Sequence, residues 1–265
     1  MSAERLEHRH ELTVAGGRIE VLEHPARDAS AALQAPLVFL HEGLGSIELW
    51  RGFPAAVHDA TGRRTIVYAR HGYGRSEVVT EPRGVDYMHR EAIDVLPPLL
   101  EALAVERPVL IGHSDGASIG LIHAAAYPGA TSGLVLLAPH VIVEDLSVAG
   151  IEQAKHVFET TEMATKLAKY HLDPAATFWG WNRIWLDPAF RDWDLTELLP
   201  GVDVPTLLIQ GRDDEYGTLR QLDLVEAGVT GATTRVELDR ARHSPHLDRP
   251  DTVLDATVAF LAQRP

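Results

Sequence analysis

The chain contains no cysteine. Disulfides, thiol nucleophiles and thiolate metal ligands are therefore excluded. Cationic residues are scarce: 24 Lys and Arg stand against 38 Asp and Glu, a net charge of −14. A surface of that sign disfavours nucleic acid and anionic membrane surfaces, and repels anionic substrates at long range. No run approaches about 18 consecutive apolar residues, so no membrane span is expected. Residues 1–10 are charged and lack an apolar stretch, so no signal peptide is expected and the chain reads as cytoplasmic. His8 and His10 read as part of a charged tail. There is no H-E-x-x-H, and the other histidines lack metal-ligand spacing, so neither a metal nor a cofactor is expected. Aromatics make up only 6% of the chain, yet Trp179, Trp181, Trp185 and Trp193 are four of its five tryptophans.

What is present is enough for one large domain with a full core: 265 residues, 45% of them hydrophobic. Residues 11–15 and 18–23 flank Gly16-Gly17 and read as a β-hairpin. A wholly apolar run at 36–40 reads as a strand buried on both faces, 64–69 as the next buried strand, and 108–111, 133–138, 205–210 and 235–238 as further strands. Helical patterns separate them, at 50–60, 86–104 and 117–126, then one that follows the 205–210 strand and runs through 227, and 251–263, with a kink expected at Pro97-Pro98. Strands alternating with helices predict an α/β fold built on a doubly wound, mostly parallel sheet. Residues 140–201 break the alternation. They have helical pattern and hold the four clustered tryptophans, so they read as a helical cap inserted into a core formed by residues 1–139 and 202–265.

The most informative segment is Gly112-His113-Ser114-Asp115-Gly116. It reads G-x-S-x-G between an apolar strand and a small-residue helix, the context a nucleophile elbow requires. A serine needs a base, and the base needs an orienting group. Both are expected downstream, at strand ends on the same side of the sheet. Gly211-Arg212-Asp213-Asp214-Glu215 and Arg242-His243-Ser244-Pro245-His246 occupy such positions.

On these motifs the chain resembles the α/β-hydrolase fold family over nearly its whole length. G-H-S-D-G resembles the nucleophile elbow, G-R-D-D-E the acid loop and H-S-P-H the histidine loop. H-E-G-L-G, residues 41–45, is similar to the loop that supplies an oxyanion-hole N–H, and residues 70–76 resemble the G-x-G-x-S turn that follows the next strand. The resemblance implies Ser114 as nucleophile, His243 as general base and Asp214 as its orienting acid. It further implies the backbone N–H groups of Gly43 and Asp115 as oxyanion donors. Glu42, Leu44, Trp179, Trp181, Trp185 and His246 are the candidate pocket residues, although the tryptophans could instead form the cap's own core.

Glu42 departs from the family pattern, in which glycine follows the loop histidine. Asp115 adds a second carboxylate beside the nucleophile. Either both side chains turn away from the reacting centre, or Glu42 borders the pocket and meets a polar or cationic substrate group. The implied activity is hydrolysis of a small or medium carboxylic ester by a monomer or homodimer acting on a small molecule without a cofactor. A lactonase, a thioesterase and a carbon–carbon bond hydrolase are the alternatives within the enzyme class. A ligand receptor on the same fold is the alternative outside it. Ser114 counts against epoxide hydrolases and haloalkane dehalogenases, which use aspartate.

Overall fold

The computed structural model describes residues 7–263. The first six residues of the N-terminal segment read above lie outside the described residues. Eight strands form one sheet: β1 (His8–Val14), β2 (Gly17–His24), β3 (Leu37–Leu40), β4 (Thr65–Ala69), β5 (Val109–His113), β6 (Gly133–Leu137), β7 (Thr206–Gly211) and β8 (Thr233–Leu238). Their order is β1-β2-β4-β3-β5-β6-β7-β8. β1/β2 and β2/β4 pair antiparallel and every other neighbour is parallel. His8 and His10 thus belong to an edge strand rather than a tail. Ala15 and Gly16 both have positive φ, +50° and +83°, which matches the right-handed twist a two-residue hairpin must follow.

Alternation within the central strands explains why they are apolar throughout. Val38, Leu40, Leu110, Leu134, Leu136 and Leu208 face one core cluster. Leu37, Phe39, Val109, Ile111, Val135, Leu137, Leu207 and Ile209 face the other. The first cluster includes Met88, Leu96 and Leu99, Ile119 and Leu121, and Leu222 and Val225, from three helical segments. The second includes Val57, Val253 and Phe260 from helices Phe53–Thr61 and Pro250–Leu261. Both faces being covered leaves no solvated side for polar residues. β8, like β1 at the opposite edge, is not covered in this way. It is an edge, half-exposed, and its Arg235 pairs with Asp223, Glu226 and Glu237, charges that discourage edge-to-edge pairing.

The kink expected at Pro97-Pro98 takes a different form. Helix Tyr87–Arg90 continues as a π-helical stretch, Glu91–Val95, before Leu96–Ala102. Proline has no N–H to offer the preceding turn, and the wider π turn lies just upstream of it.

Between β6 and β7 run the helices Asp145–Thr160, Met163–Leu167 and Pro174–Trp185. An antiparallel bridge between Ile142 and Asp194 joins the two ends of this insertion. Asp173 caps the third helix by accepting from the Ala176 N–H at 2.8 Å, with proline at the first position. Asn182 Nδ2 donates to the Ile151 carbonyl (3.0 Å) and ties it to the first.

Candidate active site

β5 ends at His113 and the buried helix Asp115–Ala126 begins one residue after Ser114, which has φ +53° and ψ −119°. Such a conformation costs on the order of 1–3 kcal/mol and persists only where its surroundings impose it. The surroundings are visible in the two flanking glycines. A Cβ at Gly116 would run into the Leu40 carbonyl, and one at Gly112 into the Gly116 carbonyl and the Ala117 backbone. The Ser114 N–H donates to the Leu137 carbonyl at 2.9 Å, and the Ser114 carbonyl accepts from the Ala117 and Ser118 N–H groups.

Ser114 Oγ lies 2.9 Å from His243 Nε2, to which it donates. His243 Nδ1–H donates to Asp214, 2.9 Å from Oδ1 and 3.0 Å from Oδ2. The Asp214 carboxylate also accepts from the Tyr216 N–H (2.8 Å), the Gly217 N–H (3.3 Å) and Gln210 Nε2 (3.1 Å). Burial would raise its pKa, but the His243 charge and hydrogen bond, with the Tyr216 N–H, hold it below the usual carboxylate value. Burial would likewise lower His243. The charge and hydrogen bond of Asp214, supported by Glu215 and Glu42, outweigh that and raise its pKa above the ordinary histidine value.

The two unusual carboxylates part ways. Asp115 is fully buried; its Oδ2 accepts from the Tyr87 hydroxyl at 2.8 Å and faces Arg70 Nη2 at 3.6 Å. Tyr87 is held in turn by the Trp185 indole N–H (3.0 Å). Asp115 therefore spends its charge on Arg70 behind the elbow. Glu42 borders the cavity beside Ser114, with Oε2 3.5 Å from His113 Nδ1. Burial opposes its ionisation, but the facing His113 pulls its pKa well below the carboxylate range. The His113 Nε2–H donates to the His243 carbonyl (2.7 Å), so the residue before the nucleophile braces the loop that carries His243.

Arg70 also shapes the 41–45 loop. Its Nη2 donates to the carbonyls of Glu42 (2.9 Å) and His41 (3.3 Å), and its N–H donates to His41 Nε2 (3.0 Å). Since the peptide is planar and trans, anchoring the Glu42 carbonyl on Arg70 turns the Gly43 N–H the opposite way. A Cβ at Gly43 would run into the Trp181 indole, so only glycine fits there.

The cavity, about 100 Å³, is lined by Glu42, Gly43, Leu44, Ser114, His140, Ser147, Ile151, Trp181, Trp185, Tyr216 and His243. Two of the expected pocket residues lie elsewhere. Trp179 is one helical step off the inward face, where Phe158 and Phe178 pack at 5.5 and 5.1 Å and Arg183 covers its ring. His246 sits behind His243, packed on Trp50, Phe53 and His113, and burial pushes its pKa down to about 3. Trp193, not expected to line the pocket, stacks on Phe190.

The insertion is fastened to the loops below it. His171 Nδ1 accepts from the Gly74 N–H (3.0 Å), and its Nε2–H donates to the Leu44 carbonyl (3.1 Å). The Leu172 N–H donates to the Gly74 carbonyl (2.9 Å) and Thr177 Oγ1 to that of Gly72 (2.7 Å). Sequence reasoning missed Arg70, Tyr87, His140, His171 and Tyr216. Arg70 lies in a motif that was visible; the others carry no local signal. No group of three or more His, Asp or Glu side chains suited to a metal occurs among the described residues. No described helix is long and apolar enough to cross a membrane.

A strained serine at a strand–helix turn, hydrogen-bonded to a histidine that is bonded to an aspartate, on a mostly parallel eight-stranded sheet, defines a class. The profile of the alpha/beta hydrolase family matches residues 37–256, and the chain belongs to that family. It is similar to a bifunctional esterase/perhydrolase of Acinetobacter calcoaceticus, 27% identical over 68% of this chain and 75% of that protein. It is also similar to a putative carbamate hydrolase of Klebsiella pneumoniae, 28% identical over 82% and 88%. Among solved structures, the enol-lactonase from Burkholderia xenovorans superposes with a TM-score of 0.75 at 20% identity, over 96% of this chain and all of that one (100%). The proline iminopeptidase of Mycobacterium smegmatis gives 0.74 at 20%, over 97% and 98%. These two share the fold.

Proposed function

We propose that the protein hydrolyses short-chain carboxylic esters through an acyl-enzyme on Ser114. The observation that carries this reading is the continuous chain Ser114 Oγ–His243–Asp214, with links of 2.9 Å and 2.9 Å. In this mechanism Ser114 Oγ attacks the ester carbonyl while His243 Nε2 takes its proton. Asp214 holds the Nδ1–H tautomer and stabilises the imidazolium. The N–H groups of Asp115 and Gly43 receive the oxyanion. The C–O bond then breaks and the alcohol leaves with the proton from His243. Water repeats the sequence and releases the acid. Residues 140–201 serve as the cap, with Trp181 and Trp185 as its apolar surface over the acyl group.

Cavity size sets the substrate range. At about 100 Å³ the space is smaller than an engineered cavity of about 150 Å³ that holds benzene. A p-nitrophenyl ester panel from acetate to decanoate tests this: kcat/KM is expected to peak at acetate to butyrate and fall at least tenfold by octanoate (~1.4 kcal/mol). An optimum at decanoate would overturn the size argument, and no turnover of any ester would overturn the ester reading.

The pH profile follows from His243. It must be neutral to accept the serine proton, and its pKa is raised. The acidic limb of kcat/KM is therefore expected to have its midpoint above the ordinary value of about 6.5, with activity lost as pH falls through it. A midpoint below that value contradicts the assignment of Asp214 as its partner.

A further inference from the structure

One polar side chain in the cavity has no part in the hydrolysis described above. His140 is 2% exposed, lines the cavity and has no hydrogen-bond partner at its buried Nδ1. It is not loose. Its carbonyl accepts from Ser118 Oγ (2.6 Å), its own N–H reaches the same oxygen (3.3 Å), and the next N–H, of Val141, donates to Gln221 Oε1 (2.8 Å). The ring stands edge-on to Trp185 at 5.0 Å and tilted against His243 at 5.5 Å. Burial, reinforced by the His243 charge, pushes its pKa down to about 3. His140 is thus a neutral imidazole, with one N–H to donate and one lone pair to accept.

A buried polar group without a partner costs about 1–3 kcal/mol. Leucine or phenylalanine could wall the same cavity without that cost. Of the neighbouring polar groups, Ser147 Oγ donates to the Tyr216 carbonyl (2.5 Å), Ser114 and His243 bond one another, and the Glu42 carboxylate faces His113 Nδ1 at 3.5 Å. Nδ1 itself is closed off from solvent, so a ligand meets the imidazole at the edge of the ring that lines the cavity. Glu42, and Asp214 behind His243, oppose an anion there. An alkyl group leaves the imidazole unpaired. A single uncharged hydroxyl can either donate to the ring's lone pair or accept from its N–H, whichever the cavity-facing nitrogen carries, and it fits the small space.

We propose that His140 is a specificity residue that binds a hydroxyl group carried by the substrate within a few bonds of the scissile carbonyl, so that the site takes short hydroxylated esters over their alkyl isosteres. This rests on the ester-hydrolase reading above. The hydroxyl belongs either to the acyl chain or to the alcohol, and two isosteric pairs separate these. Ethyl 3-hydroxybutyrate is compared with ethyl 3-methylbutyrate, and 2-hydroxyethyl butyrate with propyl butyrate, each by kcat/KM in a pH-stat.

A site built around a hydroxyl rejects the analogue that lacks it far more strongly than a simple apolar pocket discriminates by size. Wild type is expected to favour the hydroxylated member of one pair by about tenfold or more. His140→Leu should collapse that ratio to within about threefold, and His140→Asn, which keeps a donor and an acceptor, should retain part of it. If the leucine variant does not fold, the asparagine variant against wild type reads the same ratio. Ratios near one for both pairs in wild type overturn the proposal, as does a ratio that survives His140→Leu. Fluorophosphonate labelling of Ser114 in the same samples separates the failures. A labelled enzyme without preference sinks the hydroxyl site alone; an unlabelled, inactive one sinks the ester-hydrolase reading with it.

Discussion

Ser114→Ala is expected to lower kcat/KM for the preferred short ester by at least about 10⁴-fold, since no acyl-enzyme can form. The residual rate should still exceed the uncatalysed one, because oxyanion donors and the cavity remain. The melting temperature should move little. Ser114 Oγ makes its one hydrogen bond to His243, and alanine suffers the same positive φ as serine at +53°. The substitution thus removes the chemistry without relieving the strain. Fluorophosphonate labelling should vanish with the activity. A variant that keeps more than about a hundredth of the wild-type rate would place the nucleophile elsewhere.

Asp214→Asn should cost about 10⁴-fold in kcat while leaving the fold intact. The reason lies in the direction of every contact at Asp214. The N–H groups of Tyr216 and Gly217, Gln210 Nε2 and His243 Nδ1 all donate to it. Asparagine has one acceptor oxygen, and whichever way it turns, its NH₂ faces one of these donors. If the oxygen satisfies the backbone, His243 is driven to the tautomer with its proton on Nε2, and Ser114 then faces an N–H instead of a base. The acidic limb of the remaining activity should also shift downward, since the group that raises His243 has lost its charge. Stopped-flow acylation kinetics and the pH profile of the variant check both halves. A loss under tenfold would mean that another residue orients the imidazole.

The central strands are legible in the sequence because those buried on both faces are apolar along their length: LVFL and GLVLL carry no polar residue, and VLIGH only the histidine at its end, beside the nucleophile. The elbow was legible because steric limits at Gly112 and Gly116 leave only glycine. Trp179 and Trp181 illustrate what was hidden. They are two positions apart on one helix, and which of them faces inward depends on how the Pro174–Trp185 helix is rotated against Asp145–Thr160. Local sequence does not encode that rotation; packing of Phe158 on Phe178, at 3.8 Å, sets it. His246 was misplaced for a similar reason, since its spacing from His243 does not reveal that Trp50 and Phe53 enclose it. In sequence Asp115 reads only as a second carboxylate beside the nucleophile, because Arg70 and Tyr87, its partners, are distant in the chain. The π-helical stretch before Pro97 was anticipated as a disturbance but not in its form.

The seam of hydrogen bonds through His171, Leu172 and Thr177 makes the roof of the cavity continuous with its rim. To swing outward, the helices would have to release Gly72, Gly74 and Leu44 together, at a net of about 1 kcal/mol per bond. They would also pull on the turn that presents Gly43. Rotation of single side chains at the mouth disturbs none of this. The architecture behaves as a sieve with a fixed mesh: it admits molecules by girth, and anything requiring the roof to lift loses the geometry that would have acted on it.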